Sequence, residues 1–544
     1  VDSFTGTDVW DLLRLRATRT GDRPYLIWHP YEGTPARWTF AELARDAASV
    51  GVGLIRRGVR PGDKVLIHLE NCPEFVISWF ACAAVGAVAV TTNTRSAGDE
   101  LRYYAEDSGA VGAITQPQFA ELVSASAPAL RWQVVTAHDA GIAADGASGD
   151  GGFSSLFGDP GTLAPRPCES TAPMSVQYTS GTTSRPKGVL WTHANALWGA
   201  RVNAVHEDLH PDDCHLTYLP LFHTNALAYS MLASLWVGAR FVVVPKWSTS
   251  RFWDVSFEHG CTWLSLIGLS FRALSAADVP DRHPYRLFGT GWCDTPLDEK
   301  FGVKTIGWWG MTETISHGTV GNPFTPDRPL SMGRPAPEYG IAVVRDDGVT
   351  PVEPEETGDL LVRGVPGLSL FTEYLNQPQA TADSFDERGW FRTGDLVKVH
   401  ADGFLTFVDR AKDMLKVGAE NVAASEIERV ILATHRVREV AVVARPDDKL
   451  DEVPVAFVIA PDADEGLGDE LIAACAASLA DFKVPRAVYR VHDLPRSTLA
   501  KVNKVELRKV AEPDADRASA EQRWIAEARI DPSGDTEAAV ESDA

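Results

Sequence analysis

The sequence predicts an α/β protein of more than one domain, and three observations carry that reading. From Trp10 to about Leu330, short β-branched runs alternate with helix-length stretches, the pattern of parallel sheet with helices on both faces. From Met332 to about Val408 the texture changes to short strands punctuated by Gly and Pro, and after Arg410 the alternation resumes on a smaller scale. At 544 residues the chain also exceeds what a single hydrophobic core supports.

In the first stretch, Lys64-Val-Leu-Ile-His68, Ala87-Val-Ala-Val90, Arg240-Phe-Val-Val-Val244 and Thr262-Trp-Leu-Ser-Leu266 read as strands. The longest uncharged apolar run, Phe75 to Val90, falls short of the ~18 residues that begin to suggest a membrane span, and its Ala and Gly content predicts a buried helix turning into a strand. Ile341-Ala-Val-Val344 and Asp359-Leu-Leu-Val362 predict a small β-barrel or antiparallel sheet over residues 332–408. Beyond it, Ala424 to Thr434 and Leu471 to Leu479 read as helices, with Val440 to Arg445 and Val455 to Ile459 as strands, which makes a second, α+β domain. Two segments are expected to be disordered. Residues 140–152 are dense in Gly, Ala, Asp and Ser, and residues 511–544 are acidic with few large apolar groups besides Trp524 and Ile525. The expected organisation is a body over 1–409, a smaller domain over 410–510 and an acidic tail over 511–544, with no fixed-period repeat.

Hydrophobic residues at 44% and charged residues at 23% are ordinary for a globular chain, and the formal charge is −23. That charge repels phosphate backbones and anionic lipid, so no nucleic acid and no membrane are expected as partners, and any anionic ligand must be held locally. Seven scattered cysteines, none in CxxC spacing, suggest neither a disulfide framework nor a thiolate metal site. With no secretory pattern at the N-terminus, the cytoplasm is the expected location.

The most informative segment is Tyr178-Thr-Ser-Gly-Thr-Thr-Ser-Arg-Pro-Lys-Gly-Val189, with five Ser/Thr hydroxyls, two glycines and two cations in twelve residues. Glycines let successive N–H groups point inward, hydroxyls donate to phosphate oxygens, and the cation offsets negative charge. The segment is not a Walker A loop, because Lys187 precedes Gly188 instead of following the second glycine and preceding Ser or Thr.

This segment resembles the signature loop of the adenylate-forming superfamily of acyl-CoA synthetases, nonribosomal peptide adenylation domains and luciferases, and its Thr-Thr-Ser-Arg-Pro-Lys form is similar to the carnitine/crotonobetaine CoA ligase group. Six further motifs stand in family order: Leu219-Pro-Leu-Phe-His223, Trp309-Gly-Met-Thr-Glu-Thr314, Arg392-Thr-Gly-Asp-Leu396, Asp409-Arg-Ala-Lys412, Glu420-Asn-Val with Glu426-Ile-Glu428, and Leu494-Pro-Arg-Ser-Thr-Leu-Ala-Lys501. The resemblance covers about Trp10 to Arg508. It implies a large N-terminal domain of two α/β parallel-sheet subdomains plus the small β-barrel, and a small mobile α+β C-terminal domain. It also implies ATP, Mg²⁺ and coenzyme A as cofactors and co-substrate, small-molecule substrates, and a monomer or homodimer.

In such enzymes a weak oxyanion attacks the α-phosphorus of ATP, pyrophosphate leaves, and a second nucleophile attacks the mixed anhydride with AMP. The resemblance implies that Thr179, Ser180, Gly181, Thr182, Thr183 and Lys187 grip the phosphates. Thr312 would donate to the α-phosphate, and Glu313 would be the magnesium-side carboxylate. Asp395 would accept from both ribose hydroxyls, with Arg410 reaching ribose or phosphate. Trp309, followed by Gly310, would supply the adenine face. Gly291, Trp292 and Cys293 would border adenine and the acyl pocket, with Trp308 close by. His223 would position or gate the acid. Lys501, with Lys504 as its nearest confounder, would bridge the oxyanion and the phosphates, and Lys412 is the hinge position.

Ala500 and Ala419 stand where relatives usually carry glycine, and Trp236, Trp263, Trp292 and Trp308 either fill part of the acyl pocket or belong to the core. Two readings therefore remain open. One is a ligase joining a small or medium carboxylic acid to coenzyme A. The other is a diazotase-type relative that activates nitrite for an aryl amine, or another adenylating enzyme with a non-CoA acceptor. A serine hydrolase reading fails for lack of Gly-x-Ser-x-Gly, and a non-catalytic nucleotide sensor would be favoured only if Lys501 or Glu313 were missing, whereas both are present.

Overall fold

Two sheets with parallel centres occupy the N-terminal part of the computed structural model. The structure describes residues 3–96, 98–136, 138–139, 142–143, 151–179, 186–410, 413–417, 420–447, 450–461, 466–479, 481–496, 502–511 and 525–530. The chain divides into two units. One comprises Val1–Ala342, Leu361–Arg392 and His400–Thr406; the other comprises Val343–Leu360, Thr393–Val399 and Phe407–Ala544.

The first unit holds a seven-stranded sheet, in the order Glu373–Tyr374, Lys187–Thr192, Pro173–Thr179, Val88–Thr91, Lys64–His68, Gly112–Thr115, Trp132–Val135. The last five run parallel and the first two are antiparallel additions. The expected helix-to-strand run is present as helix Pro73–Val85, buried along its whole length, and strand Val88–Thr91. It packs on helix Phe40–Arg56, which begins in a reciprocal cap: Glu42 N–H donates to Thr39 Oγ1 at 3.2 Å, and Thr39 N–H donates to Glu42 Oε2 at 2.8 Å. The same unit holds a nine-stranded sheet whose central strands are parallel and include Pro24–Trp28, Arg240–Val243, Cys214–Thr217, Trp263–Ser265, Leu287–Thr290 and Lys304–Gly310. Helix His193–His206 follows the seven-stranded sheet directly, because Thr192 is both the last residue of a strand and the helix cap.

A four-stranded sheet, Gly340–Val344, Thr357–Arg363, Phe391–Val399 and Leu405–Arg410 in that order, stands where the small barrel is expected. Residues 343–360 and 393–399 of it group with the second unit rather than with a continuous 1–409 body. The rest of the second unit is α+β, with strands Glu439–Asp447 and Asp451–Ile459 paired antiparallel. Their period-2 alternation builds two cores. Val442 and Val458 face a cluster with Ile427, Ile431 and Leu471, while Val443, Val455 and Phe457 face one with Tyr489, Leu507 and Val510.

The expected structureless tail is corrected at two places. Ala511 is buried as the last residue of helix Lys504–Ala511, and Ile525–Ile530 forms a strand antiparallel to Ala487–Val491. The open backbone edge of Ala487–Val491 supplies the hydrogen bonds that the tail's composition alone does not suggest. Most of the expected 140–152 excursion lies outside the described residues. Among the described residues no helix is long and apolar enough to cross a membrane.

Gly53 lies inside helix Phe40–Arg56, where alanine ordinarily stabilises by about 1 kcal/mol. Here an added Cβ would fall 1.9 Å from Leu156 O, so crowding outweighs propensity. Gly53→Ala is expected to destabilise the protein by ~1–3 kcal/mol in denaturant titration followed by tryptophan fluorescence. A gain in stability would show that the helix does not press on residue 156.

Candidate active site

The site begins with the hairpin that carries the phosphate-type segment. Strands Pro173–Thr179 and Lys187–Thr192 pair antiparallel, with Lys187 opposite Thr179 and Gly188 opposite Tyr178. Both ends of the segment are therefore fixed side by side, and Thr179 Oγ1 donates to Lys187 O at 3.5 Å. Ser180, Gly181, Thr182 and Thr183, between them, lie outside the described residues.

A second segment is laid on the outer edge of this hairpin. Thr372 N–H donates to Leu190 O at 3.0 Å and Leu375 N–H to Gly188 O at 2.8 Å, which sets Tyr374 opposite Val189. The approach to that edge is pinned by the helix cap. Asn195 Nδ2 donates to Leu368 O and to Leu370 O, both at 2.8 Å, and Thr192 Oγ1 donates to Gly367 O at 2.7 Å. From this position Tyr374 OH donates to Glu313 Oε1 at 2.9 Å, and Lys187 Nζ stands 4.6 Å from the centre of the Tyr374 ring. A carboxylate and a lysine from distant motifs thus share one tyrosine, the first through its hydroxyl and the second through its π face.

Glu313, 4% exposed, sits in the turn Thr312–Thr314 that ends strand Lys304–Gly310. Three contacts fix this turn. Trp191 Nε1 donates to Thr312 O at 2.9 Å, Phe371 N–H donates to Glu313 O at 2.8 Å, and Met311 N–H donates to Thr314 Oγ1 at 3.0 Å. Ile315, fully buried, follows at φ 62°, a costly conformation for a β-branched residue that the surrounding contacts sustain. Thr312 Oγ1 is joined to a small hydroxyl–amide chain, since Thr224 Oγ1 lies 3.1 Å from both Thr312 Oγ1 and Gln177 Oε1. Thr224 follows His223, which packs edge-on against Phe222 at 4.6 Å and precedes the π-helix Asn225–Leu232.

Trp308 and Trp309 leave their strand on opposite faces. Trp309 lies over Gly318, where a Cβ would fall 2.7 Å from the indole. Trp308 belongs to a file of stacked rings: His206 and His317 at 5.6 Å, His317 and Trp308 at 4.3 Å, Trp308 and Trp263 at 5.6 Å, Trp263 and His215 at 5.0 Å. Gly289 makes the file possible, because a Cβ there would stand 1.8 Å from Trp308. Burial pushes His317 well below the ordinary histidine range and His215 down to about 3, while it raises the carboxyl of the fully buried Glu207 beside His215. His215 and His317 are therefore uncharged near neutral pH. Trp236 does not join it and meets Phe4 instead.

Gly291 is exposed, and a Cβ added there would meet nothing within 4 Å, whereas the next two residues are held. Trp292 Nε1 donates to Asp294 Oδ2 at 3.2 Å, and Cys293 N–H donates to Ser331 O at 2.8 Å. Burial lifts the Cys293 thiol to about 11, so it is no thiolate nucleophile.

Asp395 belongs to the second unit. It is 1% exposed on strand Phe391–Val399, and its N–H donates to Thr393 Oγ1 at 3.1 Å. Arg410 is the last residue of strand Leu405–Arg410. Lys412 and Lys501 lie outside the described residues, as do Ala419 and Ala500. Lys504 is accounted for by Glu428, 2.8 Å from its Nζ, which separates it from the lysine three positions earlier. Tyr374, Trp191, Thr224 and Gln177 escape the sequence reading. Thr224 adjoins a motif and could have been found; Tyr374 sits on a two-residue strand with no periodicity to mark it.

Comparison with known proteins identifies the family. The chain matches the AMP-binding enzyme family over residues 13–375 and the AMP-binding enzyme C-terminal domain over residues 426–501. It is 34% identical over 515 residues to a crotonobetaine/carnitine–CoA ligase of Escherichia coli, covering 92% of this chain and 98% of that one. The o-succinylbenzoate CoA synthetase of Bacillus subtilis, solved with its acyl-adenylate intermediate, superposes with a TM-score of 0.80 at 28% identity, over 92% of this chain and 98% of the other. The same synthetase with ATP and magnesium gives a TM-score of 0.79 at 27% identity, over 91% and 98%. The chain belongs to the AMP-binding family of adenylate-forming enzymes.

Proposed function

We propose that this protein is an AMP-forming acid–thiol ligase: it activates a small or medium carboxylic acid as acyl-AMP at the expense of ATP and transfers the acyl group to coenzyme A. The observation that carries the reading is the convergence of Glu313 and Lys187 on Tyr374 beside the hydroxyl-rich loop, a carboxylate and a cation held at fixed spacing where a polyphosphate would lie. In the first half-reaction a carboxylate oxygen attacks the α-phosphorus and pyrophosphate departs. In the second, the coenzyme A sulfur attacks the acyl carbonyl, loses its proton, and AMP departs.

The buried Glu313 carboxylate, oriented by Tyr374, is a hard oxygen donor suited to Mg²⁺. When bound there, Mg²⁺ neutralises charge on the phosphates. The chain's own groups do the positioning, which for phosphoryl and nucleotidyl transfer is most of catalysis. Lys187, Thr179, Ser180, Gly181, Thr182 and Thr183 hold the β and γ phosphates, and Thr312 donates to the α-phosphate from its chain with Thr224. Asp395 takes the ribose hydroxyls, Arg410 serves ribose or phosphate, and Trp309 with Gly310 borders adenine. Gly291, Trp292, Cys293, Trp308 and His223 border the acid. The rigid Trp263–Trp308–His317 file supports an acid of modest length, since stacked rings fixed over Gly289 leave long acyl chains little room. Lys501 delivers its charge to the first half-reaction and withdraws by rotation at Lys412. The protein acts as a monomer or homodimer in the cytoplasm. The relatives compared above are named as a CoA ligase and a CoA synthetase, which favours a thioester product over a diazonium.

The test is to supply ATP, Mg²⁺ and a panel of small acids, betaines and aryl acids among them, with coenzyme A or with nitrite and aryl amines, and to identify products by mass spectrometry. AMP, pyrophosphate and an acyl-CoA thioester are expected, with no turnover in excess EDTA. AMP released only with nitrite and an amine would overturn the reading. Tyr374→Phe keeps the ring under Lys187 but removes the hydroxyl from Glu313, and is expected to lower the adenylation rate about 10–100-fold, the worth of a hydrogen bond to a buried charge. An unchanged rate would show that Glu313 needs no such support. Lys501→Ala should lose acyl-AMP formation by about 100-fold or more while still transferring acyl groups from supplied acyl-AMP. Equal loss of both steps would remove the role given to Lys501.

A further inference from the structure

A cluster of metal-ligating side chains lies outside the site described above. His29 follows strand Pro24–Trp28, and its N–H donates to Val243 O at 2.9 Å, so the backbone stays in the ladder one residue beyond the strand. Glu258 and His259 are the last two residues of helix Phe252–His259, which Gly260 ends in a left-handed conformation. The fold thereby brings together groups far apart in sequence. His29 Nδ1 is 3.0 Å from His259 Nε2, Glu258 Oε2 is 3.9 Å from His29 Nδ1, and Glu258 Oε1 is 3.8 Å from His259 Nε2.

These separations are those of a ligand set just short of closure. Ligands about 2.0–2.1 Å from a tetrahedral zinc ion stand about 3.3 Å from one another, a value that the three measured distances bracket. The side chains of His29 and His259 are 15% and 10% exposed and held in place, whereas that of Glu258 is 53% exposed and free to swing inward. A neutral imidazole offers one ring nitrogen as a lone-pair donor, and Nδ1 of His29 and Nε2 of His259 face one another. In the present hydrogen bond one ring donates to the other. Ligation by both needs only that the donor move its proton to its other nitrogen, with no proton lost.

The surroundings select among cations. Arg240 Nη1 donates to His259 O at 2.6 Å, and the Arg251 guanidinium lies 5.0 Å from the Tyr31 ring centre, so two positive charges stand near the cluster. One carboxylate cannot hold Mg²⁺ or Ca²⁺ against that field, because those ions rely on several charged oxygens. Two neutral imidazoles and a carboxylate are the donor set of a borderline ion.

We propose that His29, Glu258 and His259 bind Zn²⁺, with solvent as the fourth ligand, and that the ion clamps the end of the Pro24–Trp28 strand to the C-terminal end of the Phe252–His259 helix. The clamp is structural. It ties the outer part of the nine-stranded sheet, where strand Ala36–Thr39 forms the edge, to a helix that reaches the sheet from a separate stretch of chain.

Among the described residues one other group has comparable spacing, Asp8, Asp11 and Cys168. It is the poorer site. Asp8 Oδ2 is taken by Arg166 at 2.6 Å, and the hydrogen bond to Asp11 lifts the Cys168 thiol to about 11, away from the thiolate that zinc requires.

The experiment is calorimetric titration of the chelator-treated, untagged full-length protein with ZnCl₂, repeated with CoCl₂ for the visible absorption of tetrahedral Co²⁺, and a thermal melt with and without one equivalent of zinc. One ion per chain is expected, with a melting point raised by about 2–5 °C. His29→Gln and His259→Gln, which keep a polar group of similar size, should each weaken binding by 100-fold or more and abolish the thermal shift. Glu258→Gln should weaken it about 10-fold, and Cys168→Ser should leave binding unchanged. No binding by the parent protein, or binding that survives both histidine variants and disappears with Cys168→Ser, would overturn the proposal. Circular dichroism matching the parent separates loss of ligation from loss of fold.

Discussion

The hydrogen bond from Tyr374 to Glu313 is the joint on which the N-terminal site depends. A buried carboxylate is costly unless its oxygens are satisfied, and Tyr374 can satisfy this one only because residues 372–375 are laid along the outer edge of the Lys187–Thr192 strand. That strand also delivers Lys187 to the face of the same ring. Three chain segments, around residues 187, 313 and 374, are thereby locked in one spatial relation. The approach to the tyrosine is fixed in turn by Asn195 and Thr192, the residues that start the following helix. Local capping and the geometry of the site are the same set of hydrogen bonds.

Behind this joint the sheet is made stiff rather than open. The file from His206, at the end of its helix, through His317, Trp308 and Trp263 to His215 runs across the nine-stranded sheet, with Gly289 on the intervening strand leaving it space. Burial holds His215 and His317 neutral, so these two rings add shape without adding charge. Ile315, at its positive φ, turns the chain between Glu313 and His317, and so sets the carboxylate and the ring file apart by one strained residue. The overall charge of −23 argues only against extended polyanions; it leaves room for a local cation such as Lys187, whose Nζ stands over the Tyr374 ring.

Much of this was legible in the sequence, for identifiable reasons. The strands Lys64–His68 and Arg240–Val243 and the helix Pro73–Val85 announce themselves through unbroken apolar runs. Thr312, Glu313, Lys187 and His223 sit in motifs dense enough to name a family. Tyr374 was not legible, because a two-residue edge strand has no period and its partner lies 61 positions away. Nor was the division of residues 332–408, whose strands share one texture while grouping with different units. The tail misled for a similar reason: Ile525–Ile530 is drawn into a sheet by the edge of Ala487–Val491, a partner that composition does not reveal. Of the four tryptophans left undecided, Trp263 and Trp308 proved to be a stacked pair, Trp236 a neighbour of Phe4, and Trp292 a half-buried ring beside Phe271.

The central claim is that a carboxylate oxygen of the acid attacks the α-phosphorus of ATP. Turnover of an acid uniformly labelled with heavy oxygen in its carboxylate, followed by mass spectrometry of every product, tests it most directly. The account predicts one labelled oxygen in AMP, one retained in the thioester and none in pyrophosphate. Label in inorganic phosphate, or unlabelled AMP formed alongside thioester, would contradict it.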